Sequence, residues 1–207
     1  MSKKICIYGA GGFGREILCC VIDAFGSKGE MINDLACFMD DIPFEKPILM
    51  GVDCFHVSSF KPDQYEVVLG AGDPTNRQKM AASLPGAKFI TILHPTVTKS
   101  QWVEIGKGSV ITAGCVLTCN IKIGDHSQLN LLTTVGHDCV IGNFFTTAPS
   151  VNVSGNCIIG DNVYLGTNAC VKQGIKICDN VTIGMGAVVV KDIIEPGTYI
   201  GIPAKKC

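Results

Sequence analysis

The chain has 207 residues, which is enough for one large domain or two small ones with a sizeable core. Its 17 basic and 18 acidic residues give a formal net charge of −1, and since no basic excess is available for a phosphate backbone, we expect no nucleic-acid partner. No apolar stretch reaches the ~18 residues that indicate a membrane-spanning helix, and 12 cysteines without an export signal or a CxxC pair indicate a cytoplasmic protein with free thiols and no zinc site.

The first 95 residues have the pattern of a Rossmann-like α/β domain. Short apolar strands alternate with helical segments, and this alternation predicts a parallel sheet. We predict strands at 4–8, 35–39, 66–69 and 88–93, and helices at 15–25 and 76–84. The His94-Pro95 pair marks the end of this domain, because a residue that precedes proline avoids the helical conformation.

From Trp102 onward the chain repeats every six residues. Fourteen of the fifteen positions taken at this interval from Ile105 to Val189 are aliphatic, and a small or apolar residue lies two places before each. Hexads of this kind predict a left-handed parallel β-helix, in which three hexads close one triangular coil, so that residues 103–190 form about five coils of a domain spanning 96–207. We assign the glycines that follow the aliphatic position to turns that need positive φ.

The hexads end in the sequence GIPAKK at residues 201–206 and resemble those of the β-helix acyltransferases. With the small Rossmann-like domain in front, the chain from Ile5 to Lys205 resembles the sialic acid O-acetyltransferase and bacterial sugar acetyltransferase family, one branch of which N-acetylates UDP-4-amino-sugars. The resemblance implies a homotrimer, with acetyl-CoA as the co-substrate bound between neighbouring prisms and a sugar or nucleotide sugar as the acceptor.

The segment 131–143 places His137 beside Asp138 in a run that is otherwise aliphatic and small. His137 follows the inward Val135 by two residues, so we expect it at a turn that a ligand can reach. An imidazole with a pKa of about 6.5 can accept a proton near neutral pH, and a neighbouring carboxylate can fix its tautomer. A solvated turn histidine is the alternative. The resemblance implies that His137 is the general base and that Asp138 supports it.

Three further residues are expected near the acyl group. The segment that matches the family begins at Asn130. Many relatives carry a second histidine nine residues after the base, where this chain has Thr146, whose hydroxyl can donate a hydrogen bond over a shorter reach. Gly155 matches a glycine whose N–H would stabilise the oxyanion, although it could equally be a turn glycine.

The resemblance also implies a CoA site toward the C-terminus. Small residues would allow close approach of the pantetheine and adenine, and a lysine would meet the phosphate charge. The expected residues are Gly166, Gly184, Gly186, Ala187 and Lys205. Each of these glycines could instead be required by a turn.

The motif GAGGFG follows a strand and opens a helix, and it contains Gly9, Gly11, Gly12 and Gly14. Backbone N–H groups at the start of a helix favour an anion, so a diphosphate could bind here. We disfavour NAD, because the domain is small and its acidic pair lies far beyond the motif. The resemblance implies a sugar nucleotide instead, contacted also by Asp40, Asp41, Gly72 and Arg77. A helix-surface position is the alternative for Arg77.

We therefore predict an acetyl-CoA-dependent acetyltransferase that N-acetylates a UDP-linked 4-amino sugar. The alternative is an O-acetyltransferase of sialic acid or a related sugar, because both reactions use the same machinery. A zinc-dependent lyase would need three histidines, and only His126 and His137 lie within the repeat. A nucleotide-binding regulator without catalysis would leave the pair of His137 and Asp138 unexplained.

Overall fold

The computed structural model of the protein describes residues 3–27, 29 and 31–207. Within these ranges the chain forms an α/β part followed by a parallel β-helix, which confirms the predicted fold class. None of the helices in the described ranges has the length and apolar character needed to cross a membrane.

The α/β part is a six-stranded sheet with helices on both faces. Its elements are β1 (Lys4–Tyr8), α1 (Gly12–Phe25), α2 (Ile32–Leu35), β2 (Ala36–Asp40), β3 (Ile48–Leu49), β4 (Val52–His56), a 3₁₀ turn (Val57–Ser59), β5 (Tyr65–Leu69), α3 (Pro74–Ala82) and β6 (Lys88–Phe89). The strand order is β3-β4-β2-β1-β5-β6, and all neighbours are parallel except the hairpin β3–β4. Because side chains alternate along a strand, Ile7 and Phe38 pack on the α1 face, while Tyr8 and Met39 pack on the α3 face.

The largest differences between the observed and the predicted elements lie at three places, and the other predicted elements agree within two residues. Helix α1 begins at Gly12 instead of residue 15, so the second half of the glycine motif lies in the first helical turn. The hairpin β3–β4 was not predicted, because its residues show no regular alternation of buried and exposed positions. The predicted strand 88–93 is two strands in different sheets: β6 pairs with β5, whereas Ile92–Leu93 pairs with Val110–Ile111 of the β-helix.

The β-helix is built from strands of two to four residues, most of which pair in parallel with the strand one coil further on, as Val110 pairs with Gln128. These strands are β7 (Ile92–Leu93), β8 (Thr98–Lys99), β9 (Val103–Ile105), β10 (Val110–Ile111), β11 (Val116–Leu117), β12 (Ile121–Ile123), β13 (Gln128–Leu129), β14 (Thr134–Val135), β15 (Val140–Ile141), β16 (Thr146–Thr147), β17 (Asn152–Val153), β18 (Ile158–Ile159), β19 (Tyr164–Leu165), β20 (Cys170–Val171), β21 (Lys176–Ile177), β22 (Val181–Ile183), β23 (Val188–Val189), β24 (Gly197–Ile200) and β25 (Lys205–Lys206). They lie in three sheets that form the sides of the prism. Five complete coils run from β7 to β21, a partial coil follows, and the antiparallel hairpin β24–β25 comes last.

The corners of the β-helix repeat one backbone conformation every six residues. Fourteen successive corner residues at this interval, from Gly108 to Gly186, have positive φ. Most are glycine, asparagine or aspartate, but His126, Leu132, Phe144 and Ser150 adopt the same conformation. The regular spacing of these corners keeps the strands in register from coil to coil.

The glycines that follow the inward aliphatic residue have a different role from the one predicted. Gly136 does not have positive φ; instead, a Cβ on it would lie 2.5 Å from the backbone nitrogen of Gly155 in the next coil. A Cβ on Gly124 or Gly166 would likewise lie 2.6 Å from the backbone of the next coil. The prediction of positive φ at these positions is wrong, because the close stacking of coils is what excludes a side chain there.

The single break in the aliphatic series, Thr147, is also buried. Its hydroxyl lies 2.7 Å from the hydroxyl of Thr133 and accepts a hydrogen bond of 3.0 Å from the N–H of Asn130. The break therefore marks a polar layer of the core whose groups are paired, and the coil continues through it.

Gly136→Ala should lower the free energy of unfolding, because the new methyl group overlaps the backbone of Gly155, and overpacking typically costs about 1–3 kcal/mol. Gly174→Asn is the matched control: Gly174 has φ +78 with open space around an added Cβ, and Asn168 already adopts this conformation. Urea unfolding should show the loss for Gly136→Ala and a change within about 0.5 kcal/mol for the control. Equal stabilities of the two variants would contradict the stacking requirement.

Candidate active site

His137 and Asp138 lie at the corner of the β-helix that follows β14. Nδ1 of His137 is 2.7 Å from Oδ2 of Asp138, and both side chains are 48% exposed. The other carboxylate oxygen accepts a hydrogen bond of 3.2 Å from the side chain of Asn120, one coil earlier. The hydrogen bonds from His137 and Asn120 lower the pKa of Asp138, so its carboxylate is ionised at neutral pH. When Nδ1–H donates to this carboxylate, the lone pair of the imidazole is on Nε2.

Gly155 provides the space for the imidazole ring. It lies one coil after His137, and a Cβ on it would be 2.7 Å from both Cε1 and Nε2 of the ring. The N–H of Asn156 donates a hydrogen bond of 2.7 Å to the carbonyl of His137, which joins the same two coils. Glycine is therefore required under the ring whether or not its N–H also contacts a ligand.

A groove of about 270 Å³ lies where the α/β part meets the β-helix. We name it the junction groove, and its lining includes Phe13, Glu16, Gly72, Asn130, Thr146 and Tyr164. The groove brings together Gly72 from the first domain with Asn130 and Thr146 from the repeat, three residues that the sequence places far apart. His137 is not part of this lining, because it lies at the next corner of the coil.

Thr146 is only 4% exposed, and its hydroxyl already has two partners. Oγ1 accepts a hydrogen bond of 2.7 Å from Nη2 of Arg77 and donates one of 3.1 Å to the carbonyl of Gly72. Its single proton is therefore directed at the α/β part. The position that we expected near the acyl group thus serves the contact between the two parts of the chain.

Arg77 is wholly buried, which agrees with neither of the two expectations for it. Its side chain leaves α3 and reaches the β-helix. The acceptors of its N–H groups are on Ala71, Gly72, His126, Gln128, Phe144, Phe145 and Thr146. Burial lowers the pKa of Arg77 to about 9, so the guanidinium stays protonated at neutral pH. The predicted contact of Arg77 with a sugar nucleotide does not agree with this position, because no N–H is left for a ligand.

The glycine motif forms an open loop at the end of β1. Gly9 has φ +101, which favours glycine, and a Cβ on Gly14 would collide with the carbonyl oxygen of Gly9. By contrast, an added Cβ on Gly11 or Gly12 would have nothing within 4 Å. Because α1 begins at Gly12, the first N–H groups of this helix lie at the open side of the loop, as an anion site requires.

The predicted acidic pair lies beside this loop. Asp40 accepts hydrogen bonds from the N–H of Ala10 at 2.9 Å and of Ile42 at 3.2 Å, so it ties the glycine loop to the end of β2. Burial acts to raise the pKa of Asp40, but the hydrogen bonds to its carboxylate outweigh burial and lower it. Asp41 is exposed, and its carbonyl oxygen is 3.1 Å from Nε2 of His56. Asp41 is therefore the member of the pair that presents its carboxylate to solvent.

The residues predicted to bind CoA do not share one open surface of this chain. Ala187 is 0% exposed and lies in the core, so a contact of its side chain with CoA does not agree with the structure. Gly166 and Gly184 are close-packed, since an added Cβ would lie 2.6 Å from the backbone nitrogen of Met185 and 2.7 Å from the side chain of Ile200, respectively. Gly186 and Lys205 are exposed. These two remain open to a ligand.

His126 occupies a corner with φ 56 and is 6% exposed. Its ring stacks on Phe144 at 5.1 Å and meets Phe89 edge to face at 4.7 Å. Burial lowers the pKa of His126, and the nearby charge of Arg77 acts in the same direction, although Asp125 opposes both. The ring is a packed corner residue that is neutral in the folded protein near pH 7.

The described ranges contain no group of three or more His, Cys, Asp or Glu side chains that could hold a metal ion. The twelve cysteines are free thiols. Of these, Cys115, Cys139 and Cys157 fill buried inward positions of the repeat, as packing residues do.

A parallel β-helix built from hexads is typical of the hexapeptide acyltransferases, and comparisons with known proteins agree. Residues 4–84 match the PglD N-terminal domain, and residues 103–119 and 156–191 match the hexapeptide repeat of succinyl-transferase. The chain is 31% identical over 154 residues to GDP-perosamine N-acetyltransferase of Escherichia coli O157:H7, covering 72% of this chain and 69% of that protein.

Solved structures that are similar over the whole chain include the following two. The acetyltransferase domain of PglB from Neisseria gonorrhoeae FA1090, in complex with acetyl coenzyme A, is 30% identical with a TM-score of 0.88 and 100% coverage of both chains. PerB from Caulobacter crescentus, in complex with CoA and GDP-perosamine, is 25% identical with a TM-score of 0.86, covering 99% of this chain and 97% of that chain. The chain belongs to this family of sugar acetyltransferases with a PglD N-terminal domain and hexapeptide repeats, so the predicted family and enzyme class are confirmed.

The free energy of unfolding should fall as the pH drops below 6.5, the ordinary pKa of histidine. His126 has a lowered pKa in the folded state, so the unfolded chain binds the proton first. The contribution of His126 to the free energy of unfolding is complete above its pKa in the unfolded chain. This contribution is lost as the pH falls toward its pKa in the folded protein. Its charged neighbours are Asp125, Arg77 and Lys107.

Denaturant unfolding between about pH 8 and pH 5 should show this loss in the wild type and a shallower dependence in His126→Asn, which keeps a residue suited to positive φ. The lowered pKa values of Asp40 and Asp138 act at more acid pH and do not interfere. Parallel pH dependences in the two proteins would show that burial of His126 has no such effect.

Proposed function

We propose that the protein transfers the acetyl group of acetyl-CoA to the amino group of a UDP-linked 4-amino sugar. The observation that carries this proposal is the exposed pair of His137 and Asp138, whose 2.7 Å contact leaves Nε2 to accept a proton. Two relatives support the same reaction: one is a GDP-perosamine N-acetyltransferase, and the other is the PglB acetyltransferase domain, whose structure contains acetyl coenzyme A.

In this mechanism His137 is the general base. As the amine attacks the thioester carbonyl, Nε2 takes a proton from the nitrogen, and the ionised Asp138 stabilises the imidazolium through Nδ1. The N–H of Gly155, in the coil under the ring, donates to the oxyanion of the tetrahedral intermediate. When the intermediate collapses, the C–S bond breaks and the imidazolium returns the proton to the CoA sulfur.

The base and the groove support a homotrimer in which the site closes between subunits. The junction groove lies at the corner that holds Asn130, and His137 lies at the next corner of the same coil. Adjacent corners are separated by one short strand and its turn, on the order of 10–15 Å. In the proposed trimer, a sugar in the groove of one subunit is acetylated with His137 of a neighbouring subunit as the base. The exposed Val140 and Ile158 next to this corner are apolar positions that a neighbour would cover.

The nucleotide binds at the glycine loop. Its diphosphate lies at the start of α1, where Gly11 and Gly12 leave open space, and Asp41 faces the nucleoside. The sugar then extends into the junction groove toward Glu16 and Asn130. This path accounts for Gly72 as part of the groove wall and not as a separate binding residue.

CoA lies along the β-helix between neighbouring subunits, with its phosphates near the exposed Lys205 and the open corner at Gly186. Gly166 and Gly184 contribute through the close stacking that keeps this surface narrow. Two features support a cytoplasmic location: the proposed co-substrate acetyl-CoA and the free thiols of the cysteines.

His137→Ala should lower the rate of acetyl transfer about 100-fold, because the variant lacks the imidazole that takes the proton from the attacking amine. Asp138→Asn should give a smaller loss, since the imidazole remains but its tautomer is no longer fixed. Steady-state kinetics and calorimetric titration with acetyl-CoA measure the two effects, and the Kd of acetyl-CoA should not change. The matched control is Lys99→Ala, an exposed residue of the same sheet. A loss under about threefold for His137→Ala would remove the assignment of the base.

A thiol-release assay with acetyl-CoA tests the acceptor. We expect CoA release with UDP-4-amino sugars, slower release with a GDP-4-amino sugar, and none above background with free sialic acid. A hydroxyl is less nucleophilic than a neutral amine, so O-acetylation would need the base more strongly. A higher kcat/KM for sialic acid than for every amino sugar would replace N-acetylation by the O-acetyltransferase alternative.

A further inference from the structure

Arg77 joins the α/β part to the β-helix through seven hydrogen bonds. Two of its acceptors, the carbonyls of Ala71 at 2.8 Å and Gly72 at 3.1 Å, belong to the turn after β5. The other five belong to the β-helix and are the carbonyls of His126, Phe144 and Phe145, Oε1 of Gln128 and Oγ1 of Thr146. The guanidinium therefore touches both parts at once.

The positive charge of Arg77 has no carboxylate among these acceptors, which are carbonyl, amide or hydroxyl oxygens. Burial lowers its pKa to about 9, and the charge of Asp73 opposes this only in part. A buried charge is a weak source of stability, because an apolar side chain of similar size avoids its desolvation. The guanidinium is planar and rigid, so the directions of its five N–H groups are fixed relative to one another. The acceptors on the two parts of the chain can all accept these N–H groups only in one relative placement of the two parts.

The turn that Arg77 holds is packed against the glycine loop. An added Cβ on Gly70 would lie 2.5 Å from the carbonyl oxygen of Gly9, and the N–H of Gly70 donates to the carbonyl of Tyr8 at 2.6 Å. Gln128 adds a hydrogen bond of 2.7 Å from Nε2 to the carbonyl of Leu69. Any shift of this turn relative to the β-helix would therefore move the glycine loop and one wall of the junction groove together.

We propose that Arg77 is a positioning residue, which sets the placement of the glycine loop over the junction groove without touching either substrate. It thereby sets where the amino group of the acceptor lies relative to the base. The kinetic consequence rests on the proposed function, whereas the structural consequence rests on the contacts of Arg77 alone. Positioning predicts a loss in the transfer step while both substrates still bind.

Arg77→Lys tests this directly. Lysine keeps the charge, but its single nitrogen cannot reach the acceptors on both sides. We expect kcat to fall at least about tenfold, while the Kd values of UDP and of acetyl-CoA stay within about twofold of the wild type. Lys79→Ala, an exposed change on the same helix, is the control and should leave kcat unchanged. A weaker Kd for UDP would indicate direct binding, and a lower Tm with unchanged kcat would indicate a purely structural role; either result overturns the proposal.

Amide hydrogen exchange tests the positioning without an acceptor substrate. In Arg77→Lys, exchange should become faster at residues 70–73 and 126–128 and stay unchanged at 152–159. Gln128→Met removes one acceptor of Arg77 and the hydrogen bond to Leu69, so it should increase exchange at the same residues by a smaller amount. This variant replaces Arg77→Lys as the test if the lysine variant does not fold. If the wild type acetylates no nucleotide sugar but exchange changes as expected, the proposed function fails and the positioning role stands. A lower kcat with unchanged exchange overturns the positioning role.

Discussion

The candidate site depends on the close stacking of successive coils. Backbone hydrogen bonds such as that from the Gly136 N–H to the Val153 carbonyl, 2.8 Å long, hold each coil against the next. At this spacing the ring of His137 has room where it lies only because the residue one coil further on lacks a side chain. Gly155 supplies that room for His137, and the hydrogen bond from Asn156 to the His137 carbonyl fixes the backbone that carries the ring. The placement of the imidazole is thus a result of the same repeat that builds the core.

The α/β part is joined to this scaffold by both apolar and polar contacts. Ile92 and Val110 of the first coils share a core with the sheet of the α/β part, and apolar contacts of this kind permit some sliding. The polar contacts do not, because hydrogen bonds are directional. Arg77 makes such contacts on the α3 side, and the pair of His94 and Asp23, 3.0 Å apart, makes another on the α1 side. With polar links to the β-helix beside both α1 and α3, the orientation of the domain is set from two sides.

The sequence was informative wherever a local or periodic rule decides the structure. The hexad interval predicted the β-helix, and the strand–glycine–helix order predicted the loop at Gly9, because both depend on neighbouring residues. The role of Arg77 could not be predicted, since its acceptors on the β-helix lie 49 to 69 residues away along the chain and no spacing rule connects them. The prediction for the glycines that follow the aliphatic position failed for a related reason: the sequence shows that Gly136 recurs with the repeat, but the backbone of Gly155 that excludes a Cβ belongs to another coil.

The two parts of the chain thereby carry different constraints. The corner that holds His137 is fixed by a repeat in which each coil limits its neighbours, so a change there disturbs the stack. The junction groove is formed by Phe13 and Glu16 on one side and Asn130 and Tyr164 on the other, and these side chains can vary without disturbing a coil corner. If the base must stay fixed while acceptors differ between relatives, the variation belongs in the groove and in the α/β part that overhangs it. The domain can then change its ligand as long as its orientation is kept, and that orientation depends on a few directional contacts to the scaffold.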